Sequence, residues 1–347
     1  MKEAMFYTKL KESTVKCNLC ARNCSIPEGN VGFCGVRKNI GGKLYSLVYD
    51  KLHSAQPDHI EKKPLYHFAP GSYAFSICTI GCNWRCKFCC NWMISQEHII
   101  RGETMSPEEI VRLAIENNCQ GISYTYTEPT IFYELAYDTA KIAHKQGLFN
   151  TFVTNGYTSP KAIRKIGKYL DAATIDFKGS GDPKFLKEFS AVQDSEPIFR
   201  AVKEYKRCGV HVEITDLLVP KKGDSMQKVK ELVEWVKKNL GPDVPVHFIR
   251  FYPNYLVNNI PPTPVSTLEK AIKIAENLGM KYCYIGNVLG HPKNNTYCPN
   301  CKTLLIERWG MSTKSYRIVH GRCPECGEKI NIMGEEWIPS ELRFNSV

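Results

Sequence analysis

Apolar positions along this chain follow two alternating rhythms. After a strand-like run at 73–78 come repeated units in which a short apolar run precedes a stretch with the 3.6-residue period of an amphipathic helix. The strand-like runs fall at 121–126, 149–154, 173–177, 210–219 and 246–251, and the helical stretches at 131–146, 160–169, 196–207, 226–240 and 267–278. Such alternation predicts an α/β fold whose parallel sheet is curved by right-handed crossovers. In sheets of that kind functional side chains gather at the carboxy-terminal ends of the strands. No run approaches the roughly 20 apolar residues of a membrane helix. The opening MKEAMFYTKLKEST also lacks the apolar core of a signal peptide. A cytoplasmic protein with no membrane partner is therefore expected.

Composition adds little until the cysteines are considered. The 347 residues are 43 % hydrophobic and 23 % charged, ordinary for a globular chain and incompatible with a mainly disordered or fibrous one. The length suits two or three domains, or one large α/β domain with small additions. The net charge is +11, but the basic stretches at 161–168, 203–207, 228–238 and 270–281 sit at helical spacing. Glu residues interleave with them, as on a solvated face. With no long basic run and no aromatic RNA-stacking motif, nucleic acid is the weaker alternative for a substrate.

The 16 cysteines change the picture, because 13 of them fall into three groups. In a reducing compartment such clustering means metal rather than disulfides. Cys298-Pro-Asn-Cys301 and Cys323-Pro-Glu-Cys326 form two knuckles that close a tetrahedral four-sulfur site, favouring zinc, with a rubredoxin-like iron using the same ligands. Cys17, Cys20, Cys24 and Cys34, with glycines at 29, 32 and 35, make a second four-thiol set for zinc or an iron–sulfur cluster. The central group differs. Cys82-Asn-Trp-Arg-Cys86-Lys-Phe-Cys89 supplies three thiolates in one short loop, so a [4Fe–4S] cluster there keeps one iron free of protein sulfur. An open metal position is what a catalytic site requires. The rival is Cys78 or Cys90 as fourth ligand, and Cys90 abuts Cys89.

This loop, with Phe88 just before its third cysteine, resembles the CxxxCxΦC signature of radical S-adenosylmethionine (SAM) enzymes. Over about residues 15–337 the chain most resembles the radical SAM member of the AmmeMemoRadiSam system, in the pyruvate formate-lyase activase-like branch. Besides the three cysteine groups, the stretches SYTYTEPT at 123–130 and NTYCPNC at 295–301 carry the likeness. The resemblance implies a partial (β/α)6 TIM-like barrel, a [4Fe–4S] cluster and SAM. It implies reductive cleavage of SAM to a 5′-deoxyadenosyl radical, which abstracts hydrogen from a protein, peptide or small molecule. It also implies a ferredoxin- or flavodoxin-like electron donor, and Memo-like and AMMECR1-like proteins as partners.

The same resemblance nominates residues. Glu128 keeps the acid of the branch's GGE segment, with Tyr126 and Thr127 in place of the two glycines. Glu128, Thr154, Asn155, Lys178 and Glu213 are the expected SAM-binding positions, and Asp176, His247 and Arg250 the expected catalytic ones. Residues two apart on a strand share a face, which groups Asp176 with Lys178. The expected organisation is a four-cysteine module at 1–60, the barrel at 61–295, a zinc-ribbon or rubredoxin-like module at 296–337 and a tail at 338–347. The opposing function class is a non-catalytic metal-binding or nucleic-acid-binding module in which Cys82, Cys86 and Cys89 are merely structural.

Overall fold

A computed structural model describes residues 1–97, 99–338 and 342, so that only Ile338 and Leu342 of the expected tail lie among the described residues. Its centre is an eight-stranded sheet. The strands are β1 (Ser54–His59), β2 (Tyr73–Cys78), β3 (Gly121–Tyr124), β4 (Phe149–Thr154), β5 (Ala172–Lys178), β6 (His211–Leu218), β7 (Val246–Arg250) and β8 (Cys283–Gly286). They lie in the order β8-β7-β6-β5-β4-β3-β2-β1. From β2 to β8 every pairing is parallel, and β1 runs antiparallel to β2 along one edge. The two end strands are not paired with each other, so the barrel is partial.

Among the described residues six crossovers join the seven parallel strands, as the expected (β/α)6 pattern requires. The helices that cross are α1 (Pro107–Glu116), α2 (Tyr133–Lys145), α3 (Pro160–Ile166), α4 (Pro183–Ser190), α5 (Glu196–Arg207), α6 (Met226–Leu240) and α7 (Val265–Asn277). Local chemistry sets their starts. Ser106 and Glu109 form a reciprocal capping box ahead of Pro107 on α1, and Ser225 accepts from Lys228 at the start of α6. Strands buried on both faces read as unbroken apolar runs, and β3 and the first four residues of β5 are buried throughout.

The amino-terminal residues build two small antiparallel sheets, Lys2–Glu3 with Arg37–Ile40 and Lys43–Ser46, and Tyr7–Lys9 with Val15–Cys17 and Ser25–Ile26. Val15 and Leu44 of these sheets, with Leu19 and Val36 of the loops between their strands, merge into the same core as the barrel. Arg37 and Glu134 of α2 lock that contact with a buried two-pronged ion pair at 2.8 and 2.9 Å. Ser54–His59 lies within the stretch expected for the amino-terminal module, yet it completes the central sheet. The carboxy-terminal residues form a three-stranded antiparallel ribbon, Thr296–Tyr297, Leu304–Trp309 and Ser312–Tyr316, with a separate core around Leu305, Ile306 and Tyr316. No helix among the described residues is long and apolar enough to cross a membrane.

Candidate functional site

The loop after β2 carries Cys82, Cys86 and Cys89 over the carboxy-terminal ends of the strands. Gly81 lets the chain enter it, with φ at +94°. A Cβ there would meet Cys34 O and Val36 Cγ1 at 2.7 Å each, so only glycine fits. Each thiol has its own neighbour. Trp84 N–H points at Cys82 Sγ (3.4 Å), Cys86 Sγ lies 3.3 Å from Ser190 Oγ at the end of α4, and Cys89 Sγ lies 3.2 Å from Ser95 Oγ. Burial pushes the Cys86 thiol up to about 12 and raises that of Cys82 as well, with neighbouring negative charge adding to both. Thiols so placed gain from a cation that takes the charge. Cys78 does not join them: it is buried beside Ser54 and Lys63, and burial raises its thiol to about 11. Cys90 is exposed. The donor set thus fits a cluster held by three thiolates with one open position.

Glu128, Thr154 and Asn155 are brought together against this loop. Glu128 Oε1 accepts from Thr130 N (3.1 Å), Thr130 Oγ1 (2.5 Å) and Thr154 Oγ1 (2.7 Å). Its Oε2 accepts from Asn155 N at 2.8 Å. Asn155 Nδ2 in turn donates to Asn83 Oδ1 at 2.8 Å, next to Cys82. Burial raises the Glu128 carboxyl, while these donors oppose the shift. Three of its four hydrogen bonds fall on one oxygen, so Oε2 retains capacity. Tyr126, two residues earlier, has φ at +62°, the left-handed region that glycine occupies most easily. The side chain compensates: its hydroxyl bonds Asp58 and accepts from Gln56 Nε2 (2.9 Å), while Lys63 Nζ sits 4.7 Å from the ring centre.

Asp176 and Lys178 also face the loop. They pair at 2.5 Å with 30 % and 17 % of their side chains exposed, and Thr215 donates to Asp176 at 2.8 Å. Burial opposes the Lys178 charge, but Asp176 and then Cys86 outweigh it and its ammonium is raised. Sequence reasoning missed Asp216, which accepts from Ser180 N and Oγ at 2.7 Å each and is pushed up to about 6 by burial. It also missed Ser190 and Ser95, whose spacing from the cysteines carries no motif. Arg250 closes β7 at the same end of the sheet. It donates to Thr263 O (2.8 Å) and Tyr252 Oη (3.0 Å), and among the described residues no carboxylate pairs with it.

Glu213 and His247 stand elsewhere, three and two residues into their strands at the amino-terminal ends. Glu213 is fully buried and accepts from His247 Nε2 (2.8 Å), His211 Nε2 (3.1 Å) and the backbone N–H groups of Tyr66 (3.1 Å) and His67 (2.8 Å). Burial alone would raise its carboxyl, but the two imidazoles hold it well below the ordinary carboxylate range. The expectation that places Glu213 at SAM and His247 among the catalytic residues is corrected by this geometry. Both belong to a closed network, spent on each other and on the segment crossing beneath the sheet.

The carboxy-terminal cysteines converge. Ligand atoms of Cys298, Cys301, Cys323 and Cys326 all lie within 4.8 Å of one another, with sulfur pairs at 3.5 and 3.6 Å. A tetrahedral ion bound at about 2.3 Å per thiolate spaces sulfurs by about 3.8 Å, so the set fits one metal ion.

Residues 76–236 match the Radical SAM superfamily model. Over 337 residues, 96 % of this chain and the whole of the relative, the sequence is 46 % identical to the uncharacterized protein MJ0808 of Methanocaldococcus jannaschii. The chain belongs to the family of MJ0808, and it is a radical SAM enzyme. A second protein of that organism, MJ1227, provisionally named a glycyl-radical enzyme activating enzyme, is 29 % identical over 163 residues, 45 % of this chain and 65 % of its own. Among solved structures, a radical SAM methyltransferase from Sphaerobacter thermophilus aligns at a TM-score of 0.49 and 15 % identity, covering 61 % of this radical SAM enzyme and 66 % of that chain.

Proposed function

We propose that this enzyme binds a [4Fe–4S] cluster through Cys82, Cys86 and Cys89 and uses it to abstract hydrogen from a protein, peptide or small-molecule substrate. When bound, such a cluster supplies the electron that splits SAM into methionine and a 5′-deoxyadenosyl radical. The observation that carries the reading is the arrangement of the three thiols. Each is held by a different neighbour, while Cys78 is turned to Ser54 and Cys90 to solvent, so one metal position stays open for a ligand.

The chain's residues orient what enters that position. Lys178, held by Asp176, offers an ammonium for a carboxylate, and Glu128 Oε2 offers an acceptor for an amino group. Thr154 and Asn155 transmit the position of Glu128 to the cysteine loop through Asn83. Arg250 offers a guanidinium to an anionic group of the substrate. Thr127, buried beside Glu128, donates its hydroxyl to Thr79 O and ties the Glu128 turn to the start of the cysteine loop. Glu213 and His247 have no part in this reading.

Membership of the AmmeMemoRadiSam system, Memo-like and AMMECR1-like partners and a ferredoxin- or flavodoxin-like donor rest on the sequence likeness. A cytoplasmic setting and the modules at 61–295 and 296–337 rest on the apolar pattern and the cysteine groups, with 54–59 counted to the sheet rather than to the amino-terminal module. A nucleic-acid substrate is disfavoured because helix lysines are paired along their own faces, Lys228 with Glu231 and Lys230 with Glu234. The test is release of 5′-deoxyadenosine by anaerobically reconstituted protein given dithionite and SAM. Release is expected from the wild type and none from Cys86→Ala. An intact [4Fe–4S] cluster with no release overturns the proposal.

A further inference from the structure

Cys17, Cys20, Cys24 and Cys34 line one pocket with Arg22, Arg37 and Asn83. They do not converge as the carboxy-terminal set does. Among the described residues only Cys298, Cys301, Cys323 and Cys326 bring three or more ligand atoms within 4.8 Å of one another. A single tetrahedral zinc calls for sulfurs about 3.8 Å apart. An iron–sulfur cube seats each thiolate on its own iron corner and calls for a wider ring.

A second observation points the same way. Arg22 Nη2, Arg37 Nε and Asn83 Nδ2 are buried donors without an acceptor, and all three belong to residues of this pocket. A buried donor left unpaired costs about 1–3 kcal/mol. The rest of each side chain is fixed. Arg22 Nε donates to Asn83 O (2.8 Å) with its guanidinium 3.9 Å over the Phe33 ring, Arg37 is clamped by Glu134, and Asn83 Oδ1 accepts from Asn155. The free N–H groups are therefore presented rather than stray. Metal-bound thiolates accept such bonds, and the inorganic sulfides of a cluster add further acceptors in the middle of the pocket.

The pocket also borders the central loop. Asn83 follows Cys82 directly, Gly81 packs on Cys34 O, and Arg85 donates to Phe33 O. We infer that Cys17, Cys20, Cys24 and Cys34 hold a second iron–sulfur cluster of the [4Fe–4S] class, its sulfides bonded by Arg22, Arg37 and Asn83, sharing a wall with the three-cysteine loop. Describing that loop as catalytic rests on the proposed function; the second cluster does not.

The experiment is metal and acid-labile sulfide analysis of the full chain after anaerobic reconstitution with iron and sulfide. The triple variant Cys82→Ala/Cys86→Ala/Cys89→Ala should retain half of the wild-type sulfide. Its absorption should bleach with dithionite, and its reduced electron paramagnetic resonance spectrum should not respond to SAM. Loss of all labile sulfide, with zinc rising to a second equivalent, overturns the inference. Should the triple variant fail to fold, the wild type decides: two clusters' worth of sulfide supports the inference, and one cluster's worth with undiminished 5′-deoxyadenosine release overturns it. Two clusters without release would instead sink the proposed function alone.

Discussion

In the carboxy-terminal ribbon four thiols close on a common centre, with sulfur pairs at 3.5 and 3.6 Å. In the loop after β2 three thiols are each tied to a separate neighbour, two of them serines. Charge does not divide them so cleanly: burial raises Cys298 of the ribbon to about 12 and Cys323 as well, while Cys301, exposed and bonded at Thr303, falls to about 6. Burial holds Cys86 near 12, so its thiolate forms only when metal replaces the proton. One residue type thus serves two ends. A convergent set spends every ligand on stability, and a divergent set with one ligand too few keeps a coordination position for chemistry.

Exchanging lesions between the two regions tests that contrast most severely. Cys86→Ala should abolish 5′-deoxyadenosine release while leaving the melting temperature nearly unchanged. Cys298→Ala should do the reverse, lowering the melting temperature by roughly 10 °C through loss of the ribbon's metal while release per bound cluster holds within about twofold. Equal damage to both properties by either variant would erase the distinction, and parallel melting curves and product assays check it.

Glu128→Gln probes how firmly the divergent loop is aimed. The amide presents a donor where Oε1 and Oε2 now accept four bonds, so one buried donor meets another. Release should fall about tenfold, with a stability loss of about 1–3 kcal/mol seen in urea melts. Unchanged kinetics would show that the Glu128–Asn155–Asn83 chain does not reach the cysteines.

An effect that shows only on acidification is expected at the joint between ribbon and sheet, where His67 bonds Asn331 O (2.7 Å) and Tyr284 Oη (2.6 Å). Burial lowers this imidazole to about 4. Between that value and the ordinary 6.5 the unfolded chain binds the extra proton, so stability is complete above pH 6.5 and declines as pH falls toward 4. The decline should amount to about 3 kcal/mol at most and should flatten in His67→Phe. Urea midpoints between pH 4 and 7 measure it, and an unaltered slope in the variant would remove His67 from the account.

Much of this was legible in sequence. Runs at 73–78, 149–154, 196–207 and 226–240 coincide with β2, β4, α5 and α6, because apolar periodicity and burial are the same fact seen twice. The edge strand β1 was not legible: Ser54-Ala-Gln-Pro-Asp-His59 is largely polar, and its proline suits an edge where no ladder partner is needed. Nor was the helix Pro183–Ser190, or the end of the sheet at which Glu213 and His247 lie. Spacing tells which face a strand residue takes, but a sheared parallel sheet leaves open which depth it reaches. The cysteine groups could be counted from spacing, yet how widely their sulfurs stand apart depends on three-dimensional packing.

The segment under the sheet has a further consequence. Lys63, Leu65, Tyr66 and His67 are buried there, and Lys63 O and the Tyr66 and His67 N–H groups bond Thr174 and Glu213 at the strand starts. This stopper turns the barrel from a tube into a cup. A group that reaches the cysteine loop therefore does not come up through the floor of the barrel; the ways left to it are the rim and the gap between the two unpaired end strands.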